Sequence, residues 1–140
     1  MISQEAGDLA LYRLSKARER LRAAKLLFDN GDYADSVNRS YYAVFTAARA
    51  LLALKGLDSK KHSGVISLFS QHFVKTGVIG KEAGGTLLTS KSFREDADYA
   101  DYVEITAEVA GKELEKAGEL VDEVERKLAE LTGGHPDFKR

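Results

Sequence analysis

The sequence predicts an all-α fold: an antiparallel up-and-down four-helix bundle with an additional short helix before the last long helix. Three observations predict it. Only one proline occurs in 140 residues, at position 136, and proline is the residue that most strongly interrupts helix interiors. Apolar residues in two long stretches recur at alternating spacings of four and three, the period of one helix face. Asn-Gly, Lys-Gly, Thr-Gly and Gly-Gly pairs end the successive stretches, where a left-handed residue is needed to stop a helix. A chain of 140 residues is a single domain, with its core at about 4–131 and a tail at 132–140. That length allows burial of about two thirds of the unfolded surface.

The first helix is expected from about Gln4 to Asp29. Ala10, Leu14, Ala17, Leu21, Ala24 and Phe28 form its apolar stripe. Arg13, Lys16, Arg18, Arg20, Arg22 and Lys25 flank the stripe, opposed only by Glu19. Two readings fit this flank: a solvated face meeting the acidic last helix, or a phosphate-binding surface. Asn30-Gly31 then ends the helix, and Asp32 is placed to cap the next one. So short a connection makes the two helices an antiparallel hairpin.

The second helix, from Asp35 to Leu54, is the most apolar part of the chain and the expected centre of the fold. From Tyr41 to Leu54 only Thr46 and Arg49 are polar. The run is too short, and too interrupted by Arg49, to span a bilayer. At about 100° per residue it has three faces. Val37, Tyr41, Val44, Ala48 and Leu51 are a core face. Ser36, Ser40, Ala43, Ala47 and Ala50 are small and allow a neighbour to approach closely. Asp35, Arg39, Tyr42, Thr46 and Arg49 form a polar seam. Lys55-Gly56 ends the helix.

Ser63 is placed to cap a third helix with Val65, Ile66, Phe69 and Phe73 on its apolar face, ended by Thr76-Gly77. His72 on this helix reads as a surface or boundary residue. Between positions 80 and 101, Leu87, Leu88 and Phe93 suggest a short helix whose start is weakened by Gly84-Gly85. The last helix is expected from near Glu104 to Leu131, on Ala110, Leu114, Ala117, Val121, Val124, Leu128 and Leu131, stopped by Gly133-Gly134.

Composition narrows the chemistry. There is no cysteine, which excludes disulfides and thiolate-ligated zinc. His62, His72 and His135 show no ligand spacing, and no metal or other cofactor is expected. Phosphate-loop, dinucleotide and HExxH motifs are absent. Net charge is −1, so any nucleic-acid attraction must be local. After Met1 the chain soon meets Glu5 and Asp8, unlike a signal peptide. The expected location is the cytoplasm, with no membrane.

The seam carries what remains. A guanidinium inside an apolar helix needs water, a carboxylate or a phosphate. Arg39 can pair with Asp35 one turn away, and Arg49 with a carboxylate such as Asp98. The seam can also form a polar cleft between two copies of the chain. In such a cleft arginine suits phosphate, and Tyr42 can stack on a base.

The runs NRSYYAVFTAARALLALKG, KKHSGVISLFSQHFVKTG and FREDADY resemble the HEPN domain (higher eukaryotes and prokaryotes nucleotide-binding), most closely its small stand-alone prokaryotic branch. The resemblance covers about Ala10 to Leu131. It implies an antiparallel helical bundle, often a homodimer, frequently encoded beside a minimal nucleotidyltransferase as toxin and antitoxin. It also implies, in many members, metal-independent ribonuclease activity from an arginine followed after four to six residues by histidine. With Arg39 as the arginine, the histidine slots hold Val44, Phe45 and Thr46. Threonine has no pKa near neutrality and cannot shuttle a proton as histidine does. His62 is expected beyond the far end of the helix, since Arg39 to Lys55 alone rises ~24 Å. Arg94, Asp98 and Tyr99 match the family's arginine-to-aspartate-tyrosine segment and read as mainly structural.

The expected function is therefore a homodimeric binding module. It would associate with RNA, a nucleotide or a nucleotidyltransferase-family protein through Asp35, Arg39, Tyr42, Thr46, Arg49 and Asp98, supported by His62, Arg94 and Tyr99. One alternative is a metal-independent endoribonuclease with a variant site at Arg39, Tyr42 and Thr46. Another is a structural adaptor that binds only protein.

Overall fold

The computed structural model describes residues 2–133. Five α-helices follow one another: α1 (Gln4–Asp29), α2 (Tyr33–Leu54), α3 (His62–Phe69), α4 (Lys81–Tyr99) and α5 (Ala107–Thr132), with a π-helical turn at Ser70–Val74 after α3. Among the described residues there is no strand. The tail beyond 133, with His135 and Gly134, lies outside the described residues.

α2 is the centre of the bundle and packs against α1, α3, α4 and α5. Val37, Tyr41, Val44, Ala48 and Leu51 are all buried, and so are Ser36, Ser40, Ala43, Ala47 and Ala50. The small face lies against α1, where the Ser36 hydroxyl donates to the Ala24 carbonyl at 2.8 Å. Leu14, Ala10 and Ala17 meet it from α1. α5 closes the other side with Ala117, Leu120, Val121, Val124 and Leu128. Its acidic face takes Arg18 of α1, which pairs with Asp122 at 2.8 Å and Glu125 at 3.1 Å. For Arg18, the acidic-neighbour reading of the basic flank is the observed one.

Helix ends follow local chemistry. Ser3 and Thr106 cap α1 and α5 by accepting from Ala6 and Val109 amides. Gly31, Gly56, Gly77 and Gly133 take the left-handed conformation after their helices, as glycine does without steric cost. Three details differ from expectation. The Asp32 side chain accepts from the Asn30 amide at 2.8 Å and leaves the α2 amides uncapped. α3 starts at His62, so Ser63 lies inside it. α5 starts three residues later than Glu104, at Ala107.

α4 runs for 19 residues, longer than its apolar pattern suggests. Its buried face is mostly polar: Thr86, Ser90 and Arg94 are buried at four-residue spacing, with Leu87 beside them. Ser90 donates to Glu113 of α5 at 3.1 Å, so this polar face has partners. Gly84, which weakens the helix on propensity, allows close approach. A Cβ there would lie 2.7 Å from the Val74 side chain.

The close α1–α2 contact makes a sharp expectation. Ala47→Leu should destabilise the domain by about 1–3 kcal/mol, the usual cost of overpacking a filled core. Urea unfolding followed by circular dichroism measures this. Ser67→Ala, on the exposed side of α3, should stay within about 0.5 kcal/mol of wild type.

Candidate functional site

The seam of α2 does not face one place. Helical geometry spreads its residues between two neighbourhoods, one against α1 and one against α3 and α4.

Against α1, the seam lines a groove. Arg39 is exposed and shares a cavity of about 350 Å3 with Lys16, Glu19 and Arg20. Thr46 and Arg49 share the adjoining cavity of about 330 Å3 with Tyr12, Arg13, Lys16 and Arg20. Lys16 and Arg20 line both, so the groove is continuous along the two helices. The expected pairing of Arg39 with Asp35 is not made. Neither residue has a hydrogen bond or ion pair among the described residues, and the acid that lines this cavity is already paired with a groove cation. Glu19 pairs with Lys16 at 3.2 Å.

Arg49 does not reach Asp98 either. Its partner is Asp58 in the α2–α3 loop, at 3.0 Å. The same carboxylate takes Arg13 of α1 at 3.3 Å, and Arg13 also donates to the Arg49 carbonyl at 3.0 Å. Burial, and then the charge of Arg49, lowers the Arg13 pKa. Burial works to raise Asp58, but hydrogen bonds from Arg49 and the Ser59 amide outweigh it and hold the carboxyl below its ordinary value. Arg13 and Asp58 are absent from the sequence-derived site. The basic flank of α1 was the available signal for Arg13; nothing in the spacing marks Asp58.

On the other side, Arg94 of α4 is buried with its guanidinium 5.1 Å from the Tyr41 ring centroid and 5.8 Å from those of Tyr42 and Tyr99. Cation–π attraction of this kind contributes about 0.5–2 kcal/mol per contact. Asp98 pairs with Arg94 at 3.6 Å and accepts from Asn38 of α2 at 2.8 Å, which explains why it is unavailable to Arg49. Tyr99 remains exposed at the end of α4.

His62 requires the largest correction. It does not lie beyond the end of α2, because the loop from Leu57 doubles back along the helix. Its ring stands 4.3 Å from that of Phe45, and its Nδ1 is hydrogen-bonded to the Tyr41 hydroxyl at 2.8 Å. Tyr42 meets it edge-on at 6.0 Å. With Arg49, Lys60 and Asp58 it lines a cavity of about 640 Å3. Burial, then the charges of Arg94, Lys91 and Arg49, pushes the His62 imidazole below its ordinary range. Burial also pushes the Tyr41 phenol up to about 12. Burial and the neighbouring cations both disfavour the charged imidazole, and one of its nitrogens is held by Tyr41.

Other cavities lack such a charge pattern. One of about 400 Å3 between α4 and α5 mixes Lys81 and Lys116 with Glu82, Glu119 and Glu123. Among the described residues no group of three or more His, Asp or Glu is placed to hold a metal ion, and no helix is long and apolar enough to cross a membrane.

A model of the HEPN domain matches residues 10–127. The chain belongs to the HEPN domain family. A UPF0332 protein of Thermotoga maritima is 40% identical over 127 residues, covering 91% of this chain and 96% of that protein. The protein named "Putative toxin MJ0605" of Methanocaldococcus jannaschii is 42% identical over 115 residues, 82% of this chain and 85% of its own length. A second protein of that organism, named "Putative toxin MJ0142", is 32% identical over 115 residues, 82% and 78% of the two chains. In this HEPN domain the histidine slots after Arg39 are Val44 and Phe45, both buried, and Thr46, half-buried at the groove. Among the described residues, an imidazole stands beside Phe45: that of His62 from α3.

The lowered His62 pKa has a signed consequence. A histidine whose folded pKa lies below the unfolded value of about 6.5 binds fewer protons folded than unfolded, so stability is full above that value and falls as pH drops below it. Unfolding measured from about pH 7.5 down to about pH 5.5 should show wild type losing stability. His62→Gln should lose less over the same range; an equal loss would place the titration elsewhere.

Proposed function

We propose that this HEPN domain is a phosphate-recognising module of a toxin-related system, binding RNA or a nucleotide along the α1–α2 groove. The observation that carries this reading is the convergence of Arg13, Lys16, Arg20, Arg39 and Arg49 on one continuous groove, in a chain whose net charge is only −1. Guanidinium groups brought together at a surface attract phosphate and bind its oxygens in pairs. Thr46 adds a hydroxyl that can donate to the same oxygens. The toxin names of two relatives support a role of this class. Family membership further implies a homodimer, in which a second copy would wall the exposed Arg39 side of the groove. Members are frequently encoded beside a nucleotidyltransferase, so a protein of that family is the partner this reading expects, with action in the cytoplasm.

A second reading is favoured by one observation, the position of His62. The His62 imidazole, with Arg49 and Lys60 in the same cavity, has the parts for metal-independent RNA cleavage. The imidazole would take the 2′-hydroxyl proton as that oxygen bonds to phosphorus. The 5′ oxygen would leave with a proton from Lys60 or water. Arg39, Tyr42 and Thr46 would then position the strand.

Two measurements separate these readings. Binding of a single-stranded oligoribonucleotide should weaken as salt rises, and Arg39→Ala and Arg20→Ala should each flatten the log–log slope by roughly 0.7, one phosphate contact. A purely protein-binding adaptor would show no such binding. In EDTA, binding without cleavage by wild type supports the module. Cleavage by wild type that is lost in His62→Asn, which can keep the bond to Tyr41, supports the ribonuclease. Cleavage gained only in Thr46→His would mean that the groove is intact and lacks its proton-transfer group.

A further inference from the structure

Asp58 holds the groove arginines in the way a bound anion would. Its Oδ2 accepts from Arg13 Nη2 at 3.3 Å and from Arg49 Nη2 at 3.0 Å. Its Oδ1 accepts from Arg49 Nε at 3.4 Å and from the Ser59 amide at 2.8 Å. One planar anion thus fills the fork of Arg49 and reaches across to α1. That is how a guanidinium takes two oxygens of a phosphate.

The carboxylate is the most exposed member of this set. Its side chain is 49% exposed, against 13% for Arg13 and 33% for Arg49. An ion pair with so exposed a partner contributes little. The two arginines do not need it to stay together, because Arg13 is separately anchored on the Arg49 carbonyl. Without an anion, however, their like charges face each other. Arg49 also lines both the groove cavity and the His62 cavity, so Asp58 sits at the boundary between them.

We infer that the Arg13–Arg49 pair is a phosphate subsite and that Asp58 is its resting occupant, an acidic plug tethered on the α2–α3 loop that an incoming phosphate group displaces. This rests on the phosphate-binding reading of the groove and adds the atoms that hold one phosphate and the side chain that competes for them. A phosphodiester matches the charge of Asp58, and a terminal phosphate exceeds it. Either arrives with neighbouring oxygens that Lys16 and Arg20 can hold. The displaced carboxylate returns to water at small cost, since it is already half exposed. Its departure frees the loop at 57–61 and joins the groove to the His62 cavity, so that one strand can pass from one to the other.

Asp58→Asn tests the plug. It removes the competing charge and keeps a side chain of the same shape. Fluorescence anisotropy with a short oligoribonucleotide should show about fivefold tighter binding than wild type at equal salt, the scale set by one weak ion pair. The gain should vanish in Asp58→Asn/Arg49→Gln. Equal or weaker binding by Asp58→Asn, in a protein with wild-type circular dichroism, would overturn the plug. Adding a 5′-phosphate to the oligonucleotide distinguishes the sources: a larger gain identifies a terminal phosphate, an equal gain a backbone diester. If no form binds RNA, the proposed function fails, and the subsite is decided by inorganic phosphate on wild type. There the Ser59 amide and the Arg49 Nε–H resonances should shift together in a nitrogen-15 NMR titration. Unmoved resonances at tens of millimolar phosphate, roughly ten-thousandfold above a micromolar Kd, would overturn the subsite as well.

Discussion

Close packing of α1 on the small-residue face of α2 governs the electrostatics of this domain. Ser36, Ser40, Ala43, Ala47 and Ala50 are buried there, and they let the two helices approach without a layer of large side chains. The same approach brings the basic flank of α1 alongside Arg39 and Arg49. Cations that would repel one another are held at one groove by apolar packing that they do not disturb. Part of their charge is met by carboxylates: Asp122 and Glu125 of α5 for Arg18, Glu19 of α1 itself for Lys16, and Asp58 of the α2–α3 loop for Arg13 and Arg49. Arg39, and the side of Arg20 not bonded to the Lys16 carbonyl, face the open groove. The positive surface is thus a by-product of core geometry, and the function proposed for it follows from that geometry.

The second neighbourhood solves a different problem. Arg94 is buried at the α2–α4 contact, with its Nε lacking a hydrogen-bond partner. Burying such a charge is costly unless it is compensated. Three tyrosine rings and Asp98 surround the guanidinium. This cluster fixes Tyr41, Tyr41 fixes one nitrogen of His62, and burial, with the neighbouring cations second, pushes that imidazole below its ordinary range. A structural reading of Arg94 and a functional reading of His62 are therefore compatible. The first orients and tunes the second.

The helical class and the centrality of α2 were legible because apolar periodicity reports burial directly. α4 was less legible, since Thr86, Ser90 and Arg94 occupy its buried face, and a polar stripe looks like surface. The candidate site was legible one helix at a time. Arg39, Thr46 and Arg49 mark the groove, and the basic run of α1 marks its other wall, but no spacing says that the two walls meet. Pairings across loops were beyond reach. Asp58 rather than Asp98 reaches Arg49 because the loop after Gly56 folds back along α2. The same return places His62 beside Phe45, where a straight extrapolation of helix rise sends it away. Rise per residue limits distance along a helix; it says nothing about a chain that reverses.

The central claim is that ligand phosphate is read by the α1–α2 groove. The most direct measurement is an amide chemical-shift footprint of a short single-stranded oligoribonucleotide on the nitrogen-15-labelled full chain at low salt. Perturbations are expected to concentrate at residues 13–20 of α1, 39–49 of α2 and the loop at 57–62. A footprint confined to α4 and α5, or none at all, would contradict it.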